Sequence, residues 1–357
     1  MAHQLNTMNG AVQMAFTGTT PWHGLGQRVT LGADVDTWRQ QAGLDYDVLS
    51  APVQFTTPAG QLVTFPDRAV FFRSTVAHPL AVNSDGYQVH QNGEILEFFR
   101  DLTGQLGAQI HTAGAIDGGR LVWVMAKLPE MTGEVAAGDQ VRVNLVLTTS
   151  VDGSMRTRGF LTAIRVVCAN TLKLANAGAK IVVEQGHRSK FDGAKMKADL
   201  SAAEKGFSEF LNVGHELTRV KLASEEAKDI VRELLAGPRW EEHKRAAAAL
   251  ATPVQGQMDD VMASLLGGAG SGVAVEQVKE FRAPRGEGRI LELFNGAGRG
   301  SQHPGSDGTA WGLLNAVTEF VDHEQGRAQD SRLTSAWFGE GDDLKERALE
   351  KLSALAR

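Results

Sequence analysis

Between Arg156 and Lys197 the sequence places nine Lys/Arg against two acidic residues, a net of +7. By the same count residues 1–155 carry −6 and residues 198–357 carry −7. A positive island between acidic flanks suits a polyanion, because cations spaced along a rigid element can neutralise successive phosphates. The residues assigned to that task are Arg156, Arg158, Arg165, Lys173, Lys180, Arg188 and Lys190. Trp22, Tyr87 and Phe160 are the candidates for stacking on a base. Aromatic residues make up only 6% of the chain, so binding would be dominated by the nucleic-acid backbone and tolerant of sequence. A charged face that is merely solvated fits the same count.

Other chemistries find no matching constellation. A nucleotide-triphosphate loop needs a lysine and a hydroxyl after its last glycine. The run Gly267–Gly272 is followed by Val273-Ala274 and the run Gly296–Gly300 by Ser301-Gln302, so neither supplies the lysine. Neither the Gly-x-Ser-x-Gly elbow nor the His-Glu-x-x-His pair occurs. Asp322, His323 and Glu324 fall where a helix runs out and read as surface, and His111 reads as a structural strand residue. Asp85, Asp117 and Asp152 each precede a glycine, and turn chemistry accounts for them without catalysis. Cys168 is the single cysteine, which excludes an intrachain disulfide and a multi-cysteine zinc site. It reads as a buried small hydrophobe. No catalytic residue, metal site or cofactor is assigned.

The elements that must position the basic island come from periodicity. Two apolar, β-rich runs, 107–116 and 120–128, flank Asp117-Gly118-Gly119, whose residues accept the positive φ of a tight turn. A third alternating run covers 140–149 and meets a turn at Asp152-Gly153. From Phe160 the apolar residues fall at Phe160, Ile164, Val167, Cys168, Thr171 and Ala175, which predicts a helix. Its outer stripe would hold Arg158, Arg165 and Asn176, with Thr162 and Lys173 beside them. The local expectation is thus a β-β-β-α unit, and the fold class is α+β with a mainly antiparallel sheet.

The remainder divides into three regions: an arm at 1–45, an α+β core at 46–190 and a helical region at 191–357. The arm carries the compact loop 18–26 and a short helix from Asp36, its N-cap, to Ala42. Strands are expected at 46–55, 62–65, 68–74 and 80–83, then a helix over 94–106. Residues 178–188 read as an extended link. Helices follow at 195–222, from Ser224 to the stop at Gly237-Pro238, and at 239–250. A flexible connection at 265–272 leads to helical pieces at 273–281, 289–294, 309–323 and 342–355.

With 357 residues, 42% apolar and 22% charged, the chain has the make-up of a soluble globular protein of one large or two moderate domains. Its N-terminus lacks an apolar signal core, and no apolar run approaches the ~20 residues of a membrane helix. The expected location is the cytoplasm, with no membrane partner.

Several strings resemble a known family when taken together. Pro21-Trp-His-Gly-Leu-Gly26, Thr112-Ala-Gly, Val122-Trp, Asp152-Gly-Ser, Arg165-Val-Val-Cys-Ala-Asn-Thr-Leu172, the stretch from Gly308 to His323, and Ser335-Ala-Trp-Phe-Gly339 are similar to the phage/plasmid-like family called domain of unknown function 932. The resemblance runs from about residue 18 to 355 and implies a setting of phage or plasmid DNA replication or recombination. The expected hairpin, third strand and crossing helix also resemble the core of Rad-fifty-two-type single-strand annealing proteins, which implies an ATP-independent oligomer, a ring among the options. The resulting expectation is a single-stranded DNA-binding and strand-annealing protein that acts as a homo-oligomer. Two alternatives stay open: a metal-dependent nucleic-acid-processing enzyme, and a protein-binding factor that is structural or counters the host.

Overall fold

The computed structural model describes residues 7–8, 10–18, 25–165, 169–171, 182–200, 203–251, 280–325, 335 and 339–356. In chain order the strands before the first long helix are β1 (Thr7–Met8), β2 (Ala11–Val12), β3 (Met14–Phe16), β4 (Gln27–Arg28), β5 (Val48–Thr56), β6 (Leu62–Arg73) and β7 (Val76–Ser84). A short helix, α1 (Val35–Gln41), lies between β4 and β5, and α2 (Asn92–Leu106) follows β7. Then come β8 (Gln109–Ile116), β9 (Leu121–Ala136), β10 (Asp139–Ser150), β11 (Thr157–Arg165), β12 (Ala169–Thr171) and β13 (Val182–Gln185). The C-terminal half contributes α3 (Gly193–Leu200), α4 (Ala203–Arg219), α5 (Ser224–Ala236), α6 (Pro238–Ala251), α7 (Glu287–Glu292), α8 (Ala310–His323) and α9 (Glu340–Leu355).

The main sheet runs β12-β11-β10-β9-β8-β3-β4, with β13 also paired to β11. Its pairings are antiparallel except β3 with β4. A second, antiparallel sheet has the order β5-β6-β7. The fold is therefore α+β, with helices concentrated in the C-terminal half.

The hairpin expected at Asp117-Gly118-Gly119 is present as a single tight turn between β8 and β9. Its φ values are +50°, +69° and +97°, a run for which Asp-Gly-Gly is suited. At the head of α2, Glu94 accepts from the Gln91 amide at 2.8 Å. The Gln91 side chain meanwhile exchanges two hydrogen bonds with the Val48 backbone, tying the helix to the second sheet.

One hydrophobic cluster joins α2 (Ile95, Phe99), the main sheet (Val124, Leu145) and the C-terminal helices (Phe210, Trp311, Leu352). The apolar face of the sheet is thus covered jointly by elements from both halves of the chain. A buried polar contact crosses the same seam: the Trp311 indole N–H donates to Asp139 Oδ2 at 2.9 Å.

Several expectations are corrected. Residues 157–165 form strand β11 where a helix was expected from Phe160, so the β-β-β-α succession is a run of antiparallel strands. From Gly159 to Thr162 every residue is buried, which removes the alternation that marks a strand. The expected outer stripe of Arg158, Arg165 and Asn176, with Thr162 and Lys173 beside them, has no helix over 157–165, and Lys173 and Asn176 lie outside the described residues. Part of the extended link is β13. The N-cap of α1 is Asp34, whose carboxylate accepts from the Thr37 amide at 2.7 Å, and not Asp36. Strand β6 continues through Pro66-Asp67, with Asp67 at φ +57°, instead of breaking there. The helix expected over 195–222 is described over 193–200 and 203–219, and residues 201–202 lie outside the described residues. Cys168 and the glycine-rich connection 265–272 lie outside the described residues.

Candidate nucleic-acid interface

The basic segment enters the sheet at the turn between β10 and β11. That turn is fixed locally: Ser150 Oγ donates to the Met155 carbonyl at 2.9 Å, and Asp152 Oδ1 accepts from the Ser154 amide at 2.9 Å. Two side chains, Asn83 of β7 and Tyr87 just after it, hold it from outside. Asn83 Nδ2 donates to the Val151 carbonyl at 2.7 Å, and the Tyr87 hydroxyl to the Ser150 carbonyl at 2.9 Å.

Beyond the turn, β13 lies along β11 with Arg158 opposite Glu184. Facing cross-strand positions bring side chains into reach, and Arg158 Nε sits 2.9 Å from Glu184 Oε1. Arg156 approaches the same carboxylate at 3.7 Å while its side chain stays 64% exposed. One acid therefore serves two guanidiniums.

The loop after β13 is the more open part of the cationic surface. It is closed at its base by Gln185, whose side-chain amide accepts from the Asp192 N–H at 2.8 Å and donates to the Asp192 carbonyl at 2.5 Å. His187 is buried, Arg188 and Lys190 are exposed, and Phe191 turns back towards the core. The His187 carbonyl accepts from the Gln88 amide at 2.8 Å, and His187 Nδ1 lies 3.0 Å from the Gln88 carbonyl. His90 Nε2 lies 3.0 Å from the Ser189 carbonyl. Arg188 and Lys190 thus stand on backbone anchored at residues 187, 189 and 192. Among the described residues neither has an acidic partner.

The two histidines are neutral members of this anchor. A carbonyl can only accept, so His90 Nε2 carries the proton and Nδ1 accepts from the Thr157 hydroxyl at 2.6 Å. Thr157 in turn accepts from Thr149, 2.7 Å away. Burial lowers the pKa of His90, against the opposing pull of the Ser189 carbonyl. Burial also lowers that of His187, the Gln88 carbonyl opposing and His90 adding to the effect.

Tyr87 stacks on His187 with ring centroids 4.6 Å apart and contacts Phe71 edge-on at 5.6 Å. Burial pushes its hydroxyl up to about 12. The ring is engaged on its own protein and braces the turn. Phe160 is 4% exposed inside the sheet and offers no free face to a base. Arg165 ends β11, and its side chain, like Lys173, Lys180 and Trp22, lies outside the described residues.

Of the seven cations singled out from sequence, the structure brings Arg156, Arg158, Arg188 and Lys190 to one end of the main sheet. Composition did not single out Glu184, His90, His187, Thr149 or Thr157. Val182-Val-Glu-Gln185 does not alternate in residue type, so no local signal marked Glu184, and its place follows from the pairing of β13 with β11. The His90–Thr157 contact spans 67 residues and leaves no local signature.

Among the described residues there is no group of three or more His, Cys, Asp or Glu side chains that could hold a metal ion. Nor is any helix long and apolar enough to cross a membrane. No curated protein and no solved structure matches the chain. A family model, the domain of unknown function DUF932, matches residues 79–337, from within β7 to beyond α8, and the chain belongs to that family.

Proposed function

We propose that this protein binds single-stranded DNA by its phosphate backbone at the basic end of the main sheet, and that it anneals complementary strands as a homo-oligomer without ATP. The observation that carries the reading is the pair Arg188 and Lys190, exposed and without an acidic partner among the described residues, on a loop clamped by His90, His187 and Gln185. Cations held on fixed backbone lose little conformational freedom on meeting a phosphate, and each neutralised phosphate releases counterions. Arg156 stands beside them and is free to swing from Glu184. With Tyr87 and Phe160 engaged internally, base stacking at this end is minor, so the mode is backbone-dominated. The proposal draws no support from the annealing-protein pattern, whose helix is a strand in this chain. Annealing needs no covalent step: screening backbone repulsion while leaving bases accessible is sufficient.

The test is the salt dependence of oligothymidine binding, followed by fluorescence anisotropy. Arg188→Glu with Lys190→Glu should weaken binding and flatten the slope of log affinity against log salt by about 1.4, since each single-strand phosphate contact contributes ~0.7. Both side chains are exposed, so folding should be unaffected. A folded double variant with unchanged affinity and slope would remove the reading and leave a solvated charged loop.

A further inference from the structure

The second sheet presents a surface of opposite character. From Val48 to Pro66 no residue is ionisable, in a chain in which 22% of residues are charged. The stretch is a long antiparallel arm: Gln54, Phe55 and Thr56 face Thr64, Val63 and Leu62 across its outer part. Its apolar side chains stand in solvent, with Phe55 49%, Leu62 65% and Phe65 48% exposed. Leu49 and Val82 extend the apolar surface towards the base of the sheet. Contiguous exposed apolar surface on a folded chain marks an interaction site.

The backbone is equally open. β5 pairs only with β6, and β7 reaches along β6 no further than Arg68. Beyond Val48, whose amide and carbonyl are taken by Gln91, the outer edge of β5 and the edge of β6 over 62–65 therefore have no strand paired to them among the described residues. Charged residues usually blunt such edges. None does so here, and Pro52 and Pro66 are the only interruptions.

We propose that this arm is where two copies of the chain pair, edge strand to edge strand about a two-fold axis, with Phe55, Val63 and Phe65 in the shared face. The absence of charge favours this occupant. A nucleic acid or a charged protein surface gains nothing from an uncharged face, whereas the arm is complementary to itself: strand edge to strand edge, apolar to apolar. Size is also adequate. A standard interface takes about 800 Å² from each partner, and β5 and β6 form a ribbon about 30 Å long with two faces and free edges. The inference does not rest on phosphate binding, and its test omits DNA: a single-chain mass would also remove the homo-oligomer from the proposed function, while phosphate binding stands or falls on its own salt test.

The test is the mass of the full chain by light scattering across the micromolar range, beside Phe55→Lys with Phe65→Lys. The wild type should approach twice its 38.3 kDa with rising concentration, and the variant should stay at the mass of one chain. Both substituted side chains already stand in solvent, so a folded variant is expected, and circular dichroism checks it. Amide hydrogen exchange provides an arm that needs no substitution: residues 54–56 and 62–65 should slow as wild-type concentration rises. A wild type at single-chain mass throughout, a variant that still pairs, or exchange independent of concentration overturns the proposal. So does a single-chain wild type that co-sediments with uncharged phosphatidylcholine vesicles, which would assign the arm to lipid.

Discussion

His90 Nδ1 and the Thr157 hydroxyl lie 2.6 Å apart, with His90 2% and Thr157 0% exposed. The contact joins the segment before α2 to the first residue of β11, and Thr149 and the Ser189 carbonyl extend it at either end. It is the point at which three separate stretches of chain are fastened beneath the basic loop. Thr157→Val keeps the shape and removes the hydroxyl, leaving His90 Nδ1 and Thr149 short of a buried partner. The expected loss is about 1–3 kcal/mol in urea unfolding. A variant as stable as the wild type would show that the three-residue relay contributes nothing.

Acid should act on the same anchor. His90 and His187 are held below the ordinary histidine value, chiefly by burial. His111 is held down to about 4 by burial and by nearby Lys127, with Thr17 opposing. A depressed histidine is neutral when folded, while the unfolded chain takes up a proton near pH ~6.5. The stability is therefore fully present above about pH 6.5 and falls as the pH drops through that value, for His111 down to about 4. Urea midpoints measured from neutral to acidic pH should follow this course, and His111→Gln should flatten it. Midpoints that rise on acidification would reverse the assignment.

Two adjacent glycines in the β8–β9 turn should respond differently. A methyl group on Gly119 would collide with the buried Arg73 guanidinium and the Tyr46 hydroxyl, whereas one on Gly118 comes no closer than 3.9 Å to His78. Both residues have positive φ, so both alanine variants carry backbone strain of about 1 kcal/mol. Gly119→Ala should lose at least about 1 kcal/mol more, because Arg73 must leave its contacts with Gln13 and the Gly118 carbonyl. Equal thermal shifts for the two variants would contradict the packing account.

The turn itself was legible, because Asp-Gly-Gly between apolar runs has few other uses. So were the third strand, whose sequence alternates over 140–145 although the strand is buried without a break from Val143 to Ser150, and α2, whose apolar residues keep helical spacing. β11 was not, because burial on both faces from Gly159 to Thr162 leaves a continuous apolar run that either element accommodates. At the candidate site the cations were legible by count, but their pairing was not. Glu184 reads as one of two acids in a basic segment until β13 is set beside β11. Nor does any local pattern mark the buried hydrogen bond between Asp139 and Trp311, 172 residues apart.

That last contact makes the two halves interdependent. Trp311 is 1% exposed and Asp139 is also 1% exposed, so the indole N–H stabilises a carboxylate with little access to water. Trp311→Phe should cost about 1–3 kcal/mol. A chain cut after Lys190 would also lose the cover of Phe207, Phe210 and Trp311 over the sheet, and should show no cooperative thermal transition. A fragment that melts as sharply as the full chain would establish 1–190 as an independent domain.

Glu184 offers the sharpest test of the basic end. Its carboxylate holds Arg158 at 2.9 Å and Arg156 at 3.7 Å, so under the binding reading it competes with phosphate for both guanidiniums. Glu184→Gln keeps the size while removing the charge. The pair is partly solvated, with side chains 29% and 34% exposed for Arg158 and Glu184, and such pairs contribute little, about 0–1 kcal/mol. Stability should change by no more than that. Binding to single-stranded DNA should tighten, and the salt slope should steepen by ~0.7 for each guanidinium that turns to a phosphate. The gain should be the same on oligonucleotides of different sequence, since backbone contacts carry no base information. If Arg156 and Arg158 serve only to hold β13 against β11, the variant binds no better than the wild type at any salt concentration. In that outcome Glu184 is a strand fastener, and the phosphate-binding role contracts to Arg188 and Lys190.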